Sequence, residues 1–231
     1  MPRNTLANLL AGHSIDLSAA TEMELDALLA QAQGEGVLAL LGQHVNRISN
    51  APPAFLHALG GAERALVASS LLLQAECRRV LAALPADMPV LVLKGSALAY
   101  WLYPKAYLRE CSDIDLLLPT RSDAEQAAAG LDALGYAMHH QPDDLAHELL
   151  CRRVLANGMQ VDLDMHWRLA NAPVFATVFS FEELLAASIA LPALGPTARG
   201  LGPVHAFIHA CLHRAIDVYT GIGDRLKWLY D

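Results

Sequence analysis

Apolar residues recur every three or four positions through most of the first 85 residues, the period of a helix with one buried face. From Thr21 to about Ile48, TEMELDALLAQAQGEGVLALLGQHVNRI starts on an N-cap candidate, Thr21, with Glu24 three positions later, which predicts a capped helix. The glycines at 34 and 36 interrupt it, so a helix pair is expected. After Pro52 and Pro53 the same spacing runs from Ala54 to Leu84, with a break expected at Gly60 and Gly61. At Pro89 the pattern changes. VLVLKG is a short continuous apolar run ending in glycine, the mark of a buried strand entering a turn, and Ser96 to Tyr103 reads as the helix that follows. SDIDLLLP is a second strand, closed by Pro119, and Ser122 to Leu134 is an alanine-rich helix with Ser122 as its expected cap.

Glu148 to Ala156 and Met159 to Trp167 flank Asn157-Gly158, the dipeptide best suited to a tight hairpin, so these two segments pair as antiparallel strands. Beyond Ala170 helical spacing returns in Phe181 to Leu191 and Val204 to Tyr219, separated by the turn-rich PALGPTARGLGP. The fold class is therefore α+β: an N-terminal helical segment over 1–85, a core with a small mixed sheet over 86–170, and a C-terminal helical segment over 171–231. Trp228, Leu229 and Tyr230 read as one turn of an amphipathic helix stopped before its natural end, which leads us to expect that the native chain runs on.

With 54% hydrophobic and only 17% charged residues, the chain is too apolar for extended disorder. Lys94, Glu182 and Glu183 break the richest apolar stretches below the roughly 18 to 20 residues that span a bilayer, so no membrane segment is expected. The N-terminus meets His13 and Asp16 soon after a short apolar patch, a poor signal peptide, and a cytoplasmic location follows. Cys77, Cys111, Cys151 and Cys211 are widely spaced, which predicts reduced thiols rather than a zinc ribbon or a disulfide framework. A formal net charge of −8 lacks the basic surface that binds nucleic acid by counterion release, so no long RNA or DNA partner is expected.

Chemistry concentrates in two strands. Side chains at i and i+2 share a strand face, so Asp113 and Asp115 project together while Ile114 and Leu116 face the core. Their Cα atoms lie about 6.6 to 6.8 Å apart in a regular strand, near enough to meet one hard cation such as magnesium. The strand ending at Trp167 repeats the device, with Asp162, Asp164 and His166 on one face and Val161, Leu163, Met165 and Trp167 on the other. Buried unpaired, such groups would cost several kcal/mol, so solvent, a metal or a ligand must compensate them. The plain alternative is an exposed sheet face.

Gly95-Ser96 lies between a strand and a helix, where free N–H groups and the helix dipole receive phosphate, although most such dipeptides are only turns. Lys94 and Arg109 flank the acidic centre and could neutralise phosphate, unless Lys94 merely snorkels and Arg109 pairs with Glu110 or Asp113. His166 either orients a metal-bound carboxylate or is a satisfied structural histidine. His205, His209, His213 and Asp217, four apart on one helix, form a stripe that suits the wall of an acceptor pocket better than a zinc site.

The ordered combination LKGS, LRECSDIDLLLP and VDLDMHWRL resembles the polymerase-beta-like nucleotidyltransferase superfamily, and more narrowly an uncharacterised bacterial nucleotidyltransferase family. The resemblance covers mainly 90–169 and implies a nucleotidyltransferase core. By position it makes Gly95 and Ser96 the triphosphate-binding turn with Lys94 and Arg109 beside it, Asp113 and Asp115 the metal ligands, and Asp164 the third carboxylate, with Asp162 as the competing choice. Sixteen residues separate Ser96 from Asp113, Ala97 to Ser112, a longer gap than the superfamily pattern has. The implied activity is transfer of a nucleoside monophosphate from an NTP donor to a hydroxyl of a small molecule or protein. It would depend on two magnesium ions about 3.5 to 4 Å apart. Two alternatives stand beside it: γ-phosphoryl transfer with the same residues, and a catalytically silent binding module of antitoxin or scaffold type whose helical flanks grip a partner. A homodimer or a partner protein stays open, as do the acceptor and the preferred nucleotide.

Overall fold

The computed structural model describes residues 2–140, 147–170, 172, 174–221 and 223–230. Helix α1 (Pro2–Leu10) leads into strand β1 (Ile15–Asp16). Helix α2 (Glu22–Gly34) then begins on the expected capping box: the Thr21 hydroxyl accepts from Glu24 N, and the Glu24 carboxylate accepts from Thr21 N at 2.9 Å. It stops at Gly34, and α3 (Leu38–Gln43) follows. Strand β2 (Ile48–Ser49) pairs in parallel with β1.

Helix α4 (Pro53–Ala83) runs 31 residues without a break at Gly60 and Gly61, contrary to the sequence expectation. Each glycine costs a helix about 1 kcal/mol, but packing on both sides outweighs that. Phe55 and Leu59 bury with Leu6, Leu25 and Leu28 in the N-terminal cluster, while Leu73, Cys77 and Val80 bury against the sheet.

The next elements are β3 (Leu91–Val92), α5 (Lys94–Trp101), β4 (Asp113–Leu117), α6 (Arg121–Gly130), β5 (Ala137–His140), β6 (Glu148–Val154) and β7 (Gln160–His166). They are followed by α7 (Phe181–Ala186), β8 (Ile189–Ala190), β9 (Arg199–Gly200), α8 (Pro203–Tyr219) and α9 (Lys227–Tyr230). Among the described residues one seven-stranded sheet has the order β5-β6-β7-β4-β3-β9-β8. It is mixed: β4 runs parallel to β7, and β6 runs antiparallel to β7 through the Asn157-Gly158 hairpin.

Several elements differ from the sequence reading, among them α5, which begins at Lys94 and ends at Trp101 rather than spanning Ser96 to Tyr103. Thr120, not Ser122, caps α6, its hydroxyl accepting from Asp123 N. Helix α7 ends at Ala186, so the expected helix to Leu191 gives way to β8. Strand β5 and the two-residue strands β8 and β9 carry too little periodicity to be read locally; β9 exists because Gly200 lies beside Val92 of β3.

One sheet face is dry. Ile114, Leu116, Val161, Leu163 and Met165 are fully buried under α4 and the alanines of α6, each such side chain contributing about 2 kcal/mol relative to exposure. The opposite face is graded. Around β3, Leu91, Leu93 and Leu117 pack with Leu169, Leu184 and Leu201, whereas one step across the sheet the same face turns acidic. Among the described residues no helix is long and apolar enough to cross a membrane, and Cys77, Cys111, Cys151 and Cys211 are free thiols.

Candidate active site

The parallel register of β4 and β7 sets Asp113 beside Asp162, Asp115 beside Asp164 and Leu117 beside His166. Because both strands alternate in step, the four carboxylates and His166 share the graded face. The hairpin brings a third row onto it, with Glu148 opposite His166 and Arg152 opposite Asp162.

Asp115 is the fixed point of this face. It is 1% exposed, and its Oδ1 accepts from Lys94 Nζ at 2.6 Å and lies 3.1 Å from His166 Nε2. Burial alone would favour a neutral carboxyl, but Lys94 and His166 hold it well below the usual carboxylate range. The other nitrogen of His166, Nδ1, meets Glu148 Oε2 at 3.0 Å. An imidazole that faces a carboxylate on each nitrogen donates to both only as the cation. Accordingly burial opposes the proton on His166, and the bonds to Asp115 and Glu148 carry its pKa above the ordinary value.

Asp162 and Asp164, equivalent in sequence, separate here. Arg152 grips Asp162 with two bonds, Nε to Oδ1 at 2.7 Å and Nη2 to Oδ2 at 2.9 Å, which lowers its pKa. Asp164 has no hydrogen-bond or ion-pair partner among the described residues, and burial followed by the negative charge of Asp115 pushes it up to about 7. Asp113 is raised for the same two reasons, burial and then Asp115.

Between β3 and α5 the chain turns within one residue. Lys94 adopts φ 47°, a left-handed conformation that costs a non-glycine residue about 1 kcal/mol or more and turns its side chain onto Asp115. At Gly95 a Cβ would stand 2.6 Å from Cys111 Sγ and 3.2 Å from Arg109 Nη1, so only glycine fits. Ser96 donates its hydroxyl to the Asp113 carbonyl at 2.7 Å, tying α5 to β4. Its backbone N–H, in the uncapped first turn, is available to phosphate. Arg109 is buried, donates from Nη1 to the Glu110 carbonyl at 2.9 Å and stacks on Trp228 with 5.2 Å from guanidinium to ring centroid.

Helix α8 roofs the acidic face. A cavity of about 340 Å³ is lined by Lys94, Glu148, Asp164 and His166 from below and by His209, His213 and Asp217 from above. The histidine stripe thus divides, because His205 turns away to Glu183 and Phe179. Burial, then Lys94, pushes His209 down to about 3, so it is neutral in the folded protein. Its unfolded counterpart titrates near 6.5, and the unfolded chain therefore holds more protons between those two values. The His209 contribution to stability is complete above pH 6.5 and is lost as the pH falls toward 3. Asp164, with its raised pKa, acts in the opposite sense, so the difference between two proteins isolates His209. Urea titrations at pH 6.5 and 5.0 are expected to show wild type losing on the order of 2 kcal/mol more than His209→Gln.

The donor set suits a hard divalent cation: oxygen ligands only, of which Asp113 and Asp164 are raised by burial and then by the charge of Asp115. Among the described residues no three His, Cys, Asp or Glu side chains already stand as a metal-gripping group. Asp113, Asp115 and Asp164 are the residues that could converge on one. Sequence reasoning missed Glu148, which counting outward from the Asn157-Gly158 turn would have set opposite His166. It also missed Trp228, which nothing local connects to Arg109.

The family described as "Uncharacterised nucleotidyltransferase" matches residues 21–231, which takes in every residue of this site. Comparison with curated proteins and with solved structures gave no match.

Proposed function

The chain belongs to this uncharacterised nucleotidyltransferase family, and from that premise we propose that it transfers a nucleoside monophosphate from an NTP to a hydroxyl of a small molecule or protein. The observation that carries the reading is the register of Asp115 beside Asp164, at the foot of a turn that presents Lys94, Gly95 and Ser96.

Asp113, Asp115 and Asp164 would hold magnesium, which when bound supplies charge neutralisation at the phosphates and lowers the pKa of the acceptor hydroxyl. The protein's own groups do the rest. The uncapped first turn of α5, Lys94 and Arg109 bind and orient the triphosphate. His166, braced by Glu148, fixes the rotamer of Asp115. The acceptor enters the cavity beneath α8, which Asp164 lines, and Asp164 takes the proton of its hydroxyl. The oxygen then bonds to the α-phosphorus as the bond to pyrophosphate breaks.

Calorimetric titration with each of the four NTPs and magnesium tests the donor site, repeated on Asp113→Ala/Asp115→Ala. Magnesium-dependent binding lost in the double variant is the expected result, followed by acceptor-dependent release of pyrophosphate. Release of NDP without pyrophosphate would assign γ-phosphoryl transfer instead, and no binding to any NTP would assign a binding module.

A further inference from the structure

The roof of the cavity beneath α8 carries a charge that the nucleotide chemistry does not use. Asp217 is 8% exposed and lines the cavity on the same helix face as His213 and His209, four and eight residues before it. The chain leaving α8 holds it in place. Gly223 N–H donates to the Asp217 carbonyl at 3.3 Å, Arg214 grips Asp224 at 2.8 and 2.9 Å, and Leu226 N–H donates to Glu35 Oε2 at 2.8 Å. Glu35 is itself buried and held by Arg3 Nε at 3.0 Å, so the roof is braced against the N-terminal helices.

The Asp217 carboxylate has no cation beside it. Among the described residues the one basic group within ion-pair reach is His213, whose Nδ1 lies 3.2 Å from Asp217 Oδ2 without making a hydrogen bond. Burial first, then Lys94, hold His213 below its ordinary pKa, which keeps the ring mostly uncharged at neutral pH. The cations of the floor are committed elsewhere: Lys94 Nζ meets Asp115 Oδ1 at 2.6 Å, and His166 stands between Asp115 and Glu148. His209, 5% exposed and neutral, makes no hydrogen bond among the described residues; it meets the edge of His213 and lines the same cavity. A buried carboxylate without a counter-ion and a buried imidazole without a partner both destabilise the empty protein. A ligand that brings a cationic donor relieves both. The volume, about 340 Å³, is at the small end of ligand pockets and fits a small molecule.

We propose that the acceptor is a small hydroxylated amine, its ammonium held by Asp217 and its hydroxyl directed to Asp164 across the cavity, an assignment that rests on the NTP-donor reading above. An alkyl ammonium, with a pKa of about 10 like that of lysine, has no lone pair at neutral pH and does not attack phosphorus. Transfer therefore falls on oxygen. The hydroxyl proton passes to Asp164, the oxygen bonds to the α-phosphorus, and the bond to pyrophosphate breaks. His209, being uncharged, takes a hydrogen bond from the acceptor without repelling its ammonium.

The test uses the full chain with magnesium and the best-bound NTP, and reads pyrophosphate release with matched probes: glucosamine against glucose and N-acetylglucosamine, and serinol against glycerol. In at least one set the amine is expected to exceed its uncharged twins in kcat/KM by about tenfold or more, with the difference in KM. Asp217→Asn is expected to abolish that preference by raising KM for the amine, and Asp217→Glu to keep it. A preference that survives in Asp217→Asn would overturn the proposal, as would an equal loss for charged and uncharged probes, which reports a structural role. If Asp217→Asn does not fold, wild type decides alone: N-acetylglucosamine and glycerol used as well as their amines sink the idea. Binding of NTP with no turnover of any amine overturns it and leaves the donor site standing. If wild type binds no NTP, the donor reading falls and the proposal falls with it.

Discussion

Asp115→Asn is expected to lower nucleotide transfer, measured as pyrophosphate release, by about 1,000-fold, or about 4 kcal/mol of transition-state stabilisation. The residue is chosen over Asp113 because more depends on it. Its carboxylate carries the Lys94 and His166 bonds while almost wholly removed from water. Asparagine is the same size, and its amide oxygen can stand where Oδ1 accepts from both Lys94 and His166, but the negative charge that holds those two groups is lost and an NH₂ replaces the oxygen Oδ2. Stability should fall too, by about 3 kcal/mol, since breaking a buried ion pair leaves its partner uncompensated. The 20% exposure of the Lys94 side chain lets it relax toward water and keeps the loss from being larger. Both effects are measurable on one preparation, activity by coupled assay and stability by urea titration. A folded Asp115→Asn protein that retains a tenth of wild-type transfer would remove Asp115 from the reacting centre.

Gly95→Ala is expected to weaken NTP binding by at least about tenfold and to cost about 1 to 3 kcal/mol of stability, the range for overpacking a tight site. The added methyl would stand 2.6 Å from Cys111 Sγ, a contact that real structures do not tolerate, and 3.2 Å from Arg109 Nη1. The sulfur must move first, and Arg109 with it, because Cys111 Sγ also bonds to the Arg109 carbonyl at 3.2 Å. Cys111→Ala removes the sulfur and keeps the backbone. In a double-mutant cycle the pair Gly95→Ala/Cys111→Ala should therefore regain stability by about 1 kcal/mol over the additive sum, with binding partly restored. Strict additivity would mean that the methyl clashes with something else.

Elements and carboxylates were readable because they obey short periods. Asp113, Asp115, Asp162 and Asp164 share a face by the two-residue alternation of strands, and Asn157-Gly158 forces the hairpin. Which of Asp162 and Asp164 is available was not readable from its own strand, since both positions look alike there. The answer lay in Arg152 across the hairpin, reachable by counting from the turn once that turn was accepted. The bond from the Ser96 hydroxyl to the Asp113 carbonyl was not readable either, because its partner is a backbone group with no signature in the sequence. The unbroken α4 and the two-residue strands β8 and β9 were hidden for a related reason. Tertiary packing decides them, through Phe55 and Leu73 on either side of the helix glycines and through Val92 beside Gly200. The meeting of Arg109 with Trp228, contributed by distant segments, has no local precursor at all.

The bond from Leu226 N–H to Glu35 joins residues 191 apart in sequence. A ribosome adds about 5 to 20 residues per second, so ten seconds or more of synthesis separates the two ends of that bond. Asp113, Asp115 and Asp164 are all made earlier, and the sheet that aligns them can pair before Leu226 emerges. For that interval a nascent chain would hold its acidic face before Leu226 reaches Glu35. Newly made protein should therefore acquire its tertiary fold in two stages, a carboxylate-bearing sheet first and the contact between Leu226 and Glu35 last, with the second stage sensitive to any change at Glu35 or Arg3.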